Sequence, residues 1–125
     1  MNYKDNNLKI AENYYDTMLK KDFDTMASYL HKDVHLISPL AEIRGKEEVV
    51  LAAKNLSQLL QEIQIRSKFA SNNQIMLAYD FIFPDPIGFL RAAVLMEFNN
   101  ELIFKIELFY DGRPFVEKRN EIFTN

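Results

Sequence analysis

The stretch IQIRSKFASNNQIMLAYDFIF, residues 63–83, decides the fold. From Gly45 to Leu60 the apolar residues recur at helical spacing, and from Ile63 they recur every second residue, the period of a strand. Ile63, Ile65 and Phe69 alternate with Gln64, Arg66 and Lys68, which predicts a strand with one wet face. Ser71, Asn72 and Asn73 supply the chemistry of a hairpin turn. The run from Gln74 to Phe83 is apolar on both sides, with Ile75, Leu77, Tyr79, Phe81 and Phe83 on one and Met76, Ala78 and Ile82 on the other. Helices cover one face of such a strand, so the second face predicts a partner subunit.

Downstream, Pro84, Asp85, Pro86 and Gly88 mark a loop, after which Phe89 to Phe98 and Leu102 to Tyr110 read as strands paired through Asn99 and Asn100. Upstream lie three helical patterns. The first runs from about Asn6 or Asn7 to Lys20, with Leu8, Ala11, Tyr15 and Met18 on a stripe that Ile10 and Tyr14 widen. Asp22 is a good N-cap for the second, which carries Phe23, Met26, Ala27 and Leu30 and places His31 at its C-terminal end. A strand from Val34 to Ser38 follows and stops at Pro39. Gly45 then opens a third helix with Glu47 and Glu48 in its first turn and Val49, Ala52, Ala53, Leu56, Leu59 and Leu60 on its apolar side. Helices first and strands after predict an α+β domain.

One domain spanning residues 1–125 is expected, since a chain of 125 residues is too short for two cores. Apolar residues make up 48% of it, and ten Phe and six Tyr supply large side chains for burial. A net charge of −3 lacks the basic footprint that nucleic acid or an anionic membrane requires, so neither is an expected partner. The absence of cysteine excludes disulfides, thiolate nucleophiles and Cys-based zinc sites, and suits a reducing compartment. With no apolar leader between Met1 and Asn7 and no membrane-length run, a cytoplasmic location is expected.

The first-helix run Asn13-Tyr14-Tyr15, the phrase Lys21-Asp22-Phe23-Asp24, the Asp33-Val34 to Ser38-Pro39 strand, Arg44-Gly45-Lys46 and the closing Ile106-Glu107-Leu108-Phe109-Tyr110-Asp111 together resemble the nuclear transport factor 2-like superfamily. Its small SnoaL-like and ketosteroid-isomerase-like members are the nearest in pattern. The resemblance covers roughly Leu8 to Phe115. It implies a cone in which three N-terminal helices pack on a strongly curved, mainly antiparallel sheet, a homodimer through the sheet's outer face, and an apolar ligand inside. It also puts Tyr14 where ketosteroid isomerases keep a hydrogen-bond-donating tyrosine. Their catalytic base, an Asp before a proline, is matched by Ser38, and the protonated Asp beside the tyrosine is matched by Val94. Ketosteroid isomerase activity is therefore not expected.

Alternation puts Asp80 on the side of Met76, Ala78 and Ile82, and the resemblance turns that side toward the pocket. Glu107, sharing parity with Lys105 and Phe109, is expected to look inward as well. Two carboxylates in an apolar cone would have raised pKa values and offer general acid–base catalysis, with Tyr14 as donor; the competing reading is a charge-paired structural network in which Lys105 neutralises one of them. Tyr14 itself reads either as a donor or as a core residue. The expected ligand lining is Met18, Ser38, Leu56, Met76, Ala78, Val94, Met96 and Phe109.

No metal is expected: His31 and His35 are four apart, but the helix ends between them and no third ligand is placed. His35 reads as an exposed or interface histidine. Three glycines, Gly45, Gly88 and Gly112, form neither a phosphate-cradling loop nor a serine elbow, and no cofactor is expected. The tail beyond Pro114 carries Phe115, Val116, Ile122 and Phe123 and reads as a short amphipathic helix that closes the cone or reaches a neighbouring subunit. Three functions stay open: a cofactor-free isomerase, cyclase or hydratase-like lyase, a module that binds a small apolar molecule, and a non-catalytic dimeric protein-interaction domain with a filled cone.

Overall fold

A computed structural model describes residues 3–123. Its elements run α1 (Tyr3–Leu19), α2 (Phe23–Ser28), β1 (Leu30–Ile37), β2 (Glu42–Arg44), α3 (Lys46–Leu59), β3 (Glu62–Ser71), β4 (Gln74–Ile82), β5 (Phe89–Asn99) and β6 (Leu102–Phe109). A 3-10 helix (Arg113–Lys118) and a short α4 (Arg119–Ile122) close the described chain. The strands form one sheet in the order β2-β1-β6-β5-β4-β3, antiparallel throughout except between β1 and β6. Helices packed on one face of a curved sheet give the α+β class that the order of elements predicts and the cone that the resemblance implies.

The helices form where their caps and stripes direct. In α1, Ala11, Tyr14, Tyr15 and Met18 recur at helical spacing and are all buried. Lys21, at φ 61°, turns the chain out of α1, and its Nζ donates to the Ser57 carbonyl (2.9 Å) in the last turn of α3, where a cation is favoured. Asp22 caps α2 by accepting from the Thr25 amide at 3.3 Å. Gly45 starts α3 at φ 94°, a conformation costly for any side chain, while its amide binds the Val34 carbonyl at 2.8 Å.

Bulges bend the sheet into the cone. The register slips between Ile65 and Ser67 on β3, between Leu30 and His35 against β6, and between Glu97 and Phe98 against β6. The first slip changes which way β3 points. Ile63 and Ile65 pair with Phe81 and Tyr79 on the inner face, whereas Phe69, of the same parity in sequence, pairs with Met76 on the outer face and is 64% exposed.

Several element boundaries differ from those read in the sequence. α2 ends at Ser28, so Leu30 and His31 lie in β1 and His31 is not at a helix terminus. The His31 ring instead packs edge-on against Phe104 at 5.0 Å, and its Nδ1 accepts from the Asp33 amide at 3.0 Å. β2 carries no periodic signal in its three residues and goes unseen in the sequence. No helix among the described residues is long and apolar enough to cross a membrane.

Candidate functional site

β4 decides what the cone contains. Its inward residues are Ile75, Leu77, Tyr79 and Phe81, facing Met96, Val94, Ala92 and Leu90 across the β5 register. The Tyr79 hydroxyl meets that of Tyr15, on α1, at 2.8 Å, which fixes this side as the one beneath the helices. Asp80 therefore points the other way, a correction to the inward placement expected of it. Its Oδ1 accepts from Arg66 Nε at 3.2 Å and from Arg91 Nε at 3.1 Å on the outer face.

Glu107 is corrected in the same sense. It pairs in register with Ile37 and Leu95, and Leu95 with Met76, so it lies in an outer-face row that continues to Phe69. Lys105 reaches Glu97 at 3.6 Å. Met76, Ala78 and Phe109 also belong to the outer face and do not line the cone. Because both sides of β4 are apolar, alternation alone does not tell inside from outside.

Two small cavities lie in the cone interior among the described residues. One, of about 50 Å³, is lined by Tyr14, Tyr15, Met18, Leu36, Val49, Ala52, Ala53, Leu56, Phe81, Ile106, Leu108, Ile122 and Phe123. The other, of about 40 Å³, shares Leu56, Phe81, Leu108, Ile122 and Phe123 with it and adds Phe83, Leu90, Tyr110 and Phe115. Of the expected lining, Met18 and Leu56 are in place. Val94 and Met96 point inward but are packed solid in the core. Ser38 closes the turn after β1, accepting from the Ala41 amide and donating to its carbonyl, both at 3.2 Å. Leu36, Val49, Ala53, Phe81 and Leu108 are lining residues that the sequence reading missed; their apolar character gave no signal beyond core membership.

Tyrosines are the only titratable residues that line these cavities among the described residues. Burial, with Tyr15 adding to it, pushes the Tyr14 phenol far above its ordinary pKa, and Tyr15 and Tyr79 are raised by burial too. All three are hydrogen-bond donors and none is a base. Tyr15 and Tyr79 satisfy each other. Tyr14, 2% exposed, has no hydrogen-bond partner for its hydroxyl among the described residues. Asn7 Oδ1 is the one side-chain polar atom among the described residues that is both sealed and unpaired, so the Tyr14 hydroxyl, unpaired, is not fully sealed, and Tyr14 lines the first cavity.

Two other regions are less suited to bind a small molecule. A larger open cleft of about 600 Å³ lies at the β3–β4 and β5–β6 turns, lined by Lys4, Asn7, Asn72, Asn73, Phe98, Asn100 and Glu101. Its walls combine turn residues with Lys4 and Asn7 of α1 and Phe98 of β5, and the unpaired Asn7 oxygen is closed off from it. His35 faces outward and bonds Glu42 at 2.6 Å, and no group of three His, Asp or Glu able to hold a metal is gathered among the described residues.

Comparison with known proteins agrees with this architecture. The family model of the SnoaL-like domain matches residues 11–106. A de novo designed protein with a curved β-sheet has a TM-score of 0.84 at 19% identity, covering 98% of this chain and 97% of its own. An NTF2-like protein of unknown function from Cytophaga hutchinsonii ATCC 33406 has a TM-score of 0.74 at 15% identity, covering 84% and 89%. An LEH-like epoxide hydrolase from M. tuberculosis has a TM-score of 0.78 at 14% identity, covering 97% and 94%. No curated protein matches the chain.

Proposed function

The chain belongs to the SnoaL-like domain family, and from that premise we propose that it binds a small apolar molecule in the cone, with the Tyr14 hydroxyl donating to a carbonyl or ether oxygen of that molecule. One observation carries this reading: a buried phenol, with no hydrogen-bond partner for its hydroxyl among the described residues, lining an apolar cavity. A ligand acceptor placed against that hydroxyl gains a hydrogen bond in an apolar setting.

Binding without turnover is favoured over catalysis. Isomerisation or hydration needs a group that removes a proton, and the described lining of the two cavities has no carboxylate, imidazole or amine. Asp80 and Glu107 lie on the far side of the sheet from them.

The outer face supports a homodimer as part of the same proposal. Phe69, Phe89, Phe109 and Met76 are 64%, 58%, 44% and 40% exposed there. With Leu95, Ala78 and Ala93 in the same rows, they form an apolar surface of the kind that a second copy covers.

Titration of the 13C-methyl-labelled protein with cyclohexanone tests the ligand site. Saturable shifts of the Met18, Val49, Ala53 and Leu56 methyl signals are expected. Unchanged signals at those positions up to the ketone's solubility would contradict it.

A further inference from the structure

We infer that the C-terminal segment, Arg113 to Phe123, is a built-in plug of the cone, so that an apolar ligand enters by displacing it. This rests on the ligand-binding reading and adds its regulation.

The plug occupies ligand space. Phe115 packs edge-on against Phe83 at 5.1 Å and is buried, and Ile122 and Phe123 wall both small cavities. Neither cavity alone reaches the several hundred Å³ typical of a ligand site. The two share five lining residues, and two of those five belong to the plug, so its withdrawal would join them into one chamber open at the plug's seat.

Its attachment suits a reversible closure. Among the described residues one hydrogen bond ties the segment to the body beyond the chain turn that leads into it: Asn55 Nδ2 on α3 donates to the Ile122 carbonyl at 3.1 Å. Phe115 N bonds only as far back as Gly112, and Lys118 pairs with Glu121 inside the segment. Among the described residues the rest of its attachment is the Arg113–Asp111 ion pair in that turn and apolar contact, and an apolar ligand replaces the apolar contact in kind. Such a plug competes with the ligand for one surface, and weakening it raises ligand affinity.

The test uses the full chain and prodan, an apolar fluorescent ketone whose emission shifts to the blue on burial. Asn55 lines neither cavity, so Asn55→Ala removes the latch without enlarging the chamber. It is expected to raise prodan affinity about fivefold, the equivalent of one ordinary hydrogen bond. A second readout is the Ile122 methyl signals of the 13C-labelled wild type, which are expected to move away from their buried positions on saturation with prodan. Equal affinity in wild type and Asn55→Ala, or Ile122 methyl signals unmoved by prodan, overturns the plug. Cyclohexanone shifts at Met18 and Val49 report separately on the cone, so loss of the plug and loss of the ligand site are told apart.

Discussion

The hydroxyls of Tyr15 on α1 and Tyr79 on β4 lie 2.8 Å apart inside the core, with their rings edge-to-face at a centroid distance of 5.0 Å. This contact joins residues 64 positions apart in sequence, clamps the first helix to the sheet and fixes which side of β4 faces inward.

Tyr15→Phe and Tyr79→Phe are each expected to cost roughly 1–3 kcal/mol, because each strands the other hydroxyl in an apolar site. The double variant is expected to cost less than the sum, since no orphan then remains. Urea unfolding of the four proteins measures the coupling; strict additivity would remove the hydroxyl pair as a structural element.

Alkaline pH is expected to unfold the protein through the same tyrosines. Burial is the first cause of the raised pKa values of Tyr14, Tyr15 and Tyr79. A raised folded-state value means that the native state holds its protons more tightly than the unfolded chain. Its contribution is complete below pH 10, the ordinary phenol value, and is lost as pH rises toward the folded-state value. Phenolate absorbance from these three is expected to appear only together with loss of near-ultraviolet circular dichroism. Their titration in a folded protein would contradict the burial.

Asp80→Asn is expected to leave cyclohexanone affinity unchanged. Stability should fall by only about 1 kcal/mol, a discounted value because the Arg66 and Arg91 side chains that hold the carboxylate are substantially exposed. A large loss of ketone binding would return Asp80 to the cone.

On the outer face, Met76→Asp puts a charge in the row of Phe69, Leu95 and Glu107. The wild-type chain is expected to sediment as a dimer at micromolar concentration and the variant as a monomer with an unchanged circular dichroism spectrum. A wild-type monomer at those concentrations would contradict the dimer.

Most of the fold was legible because the hydrophobic period is strong. The stripe through Ala11, Tyr15 and Met18, the Asp22 cap, the Gly45 start of α3 and the four strands after Leu60 all follow from local chemistry. The site was less so. Asp80 and Glu107 are placed inward by the resemblance, which alternation on β4, apolar on both faces, does not oppose for Asp80, and the facts that turn them outward are non-local: the Tyr15 partner of Tyr79, Arg66 and Arg91 brought to Asp80 by strand pairing, and the register of Glu107 with Leu95. Phe69 shows the other limit, since the bulge after Ile65 reverses its side without leaving a mark in the alternation.

The most direct measurement compares the dissociation constants of cyclohexanone and methylcyclohexane, a hydrocarbon of similar size, for wild type and for Tyr14→Phe. The account predicts that Tyr14→Phe weakens binding of the ketone by roughly fivefold, the contribution of one buried hydrogen bond, and leaves the hydrocarbon's affinity unchanged. An unchanged ketone affinity in Tyr14→Phe, or an equal loss for both molecules, would contradict the assignment of Tyr14 as the ligand's donor.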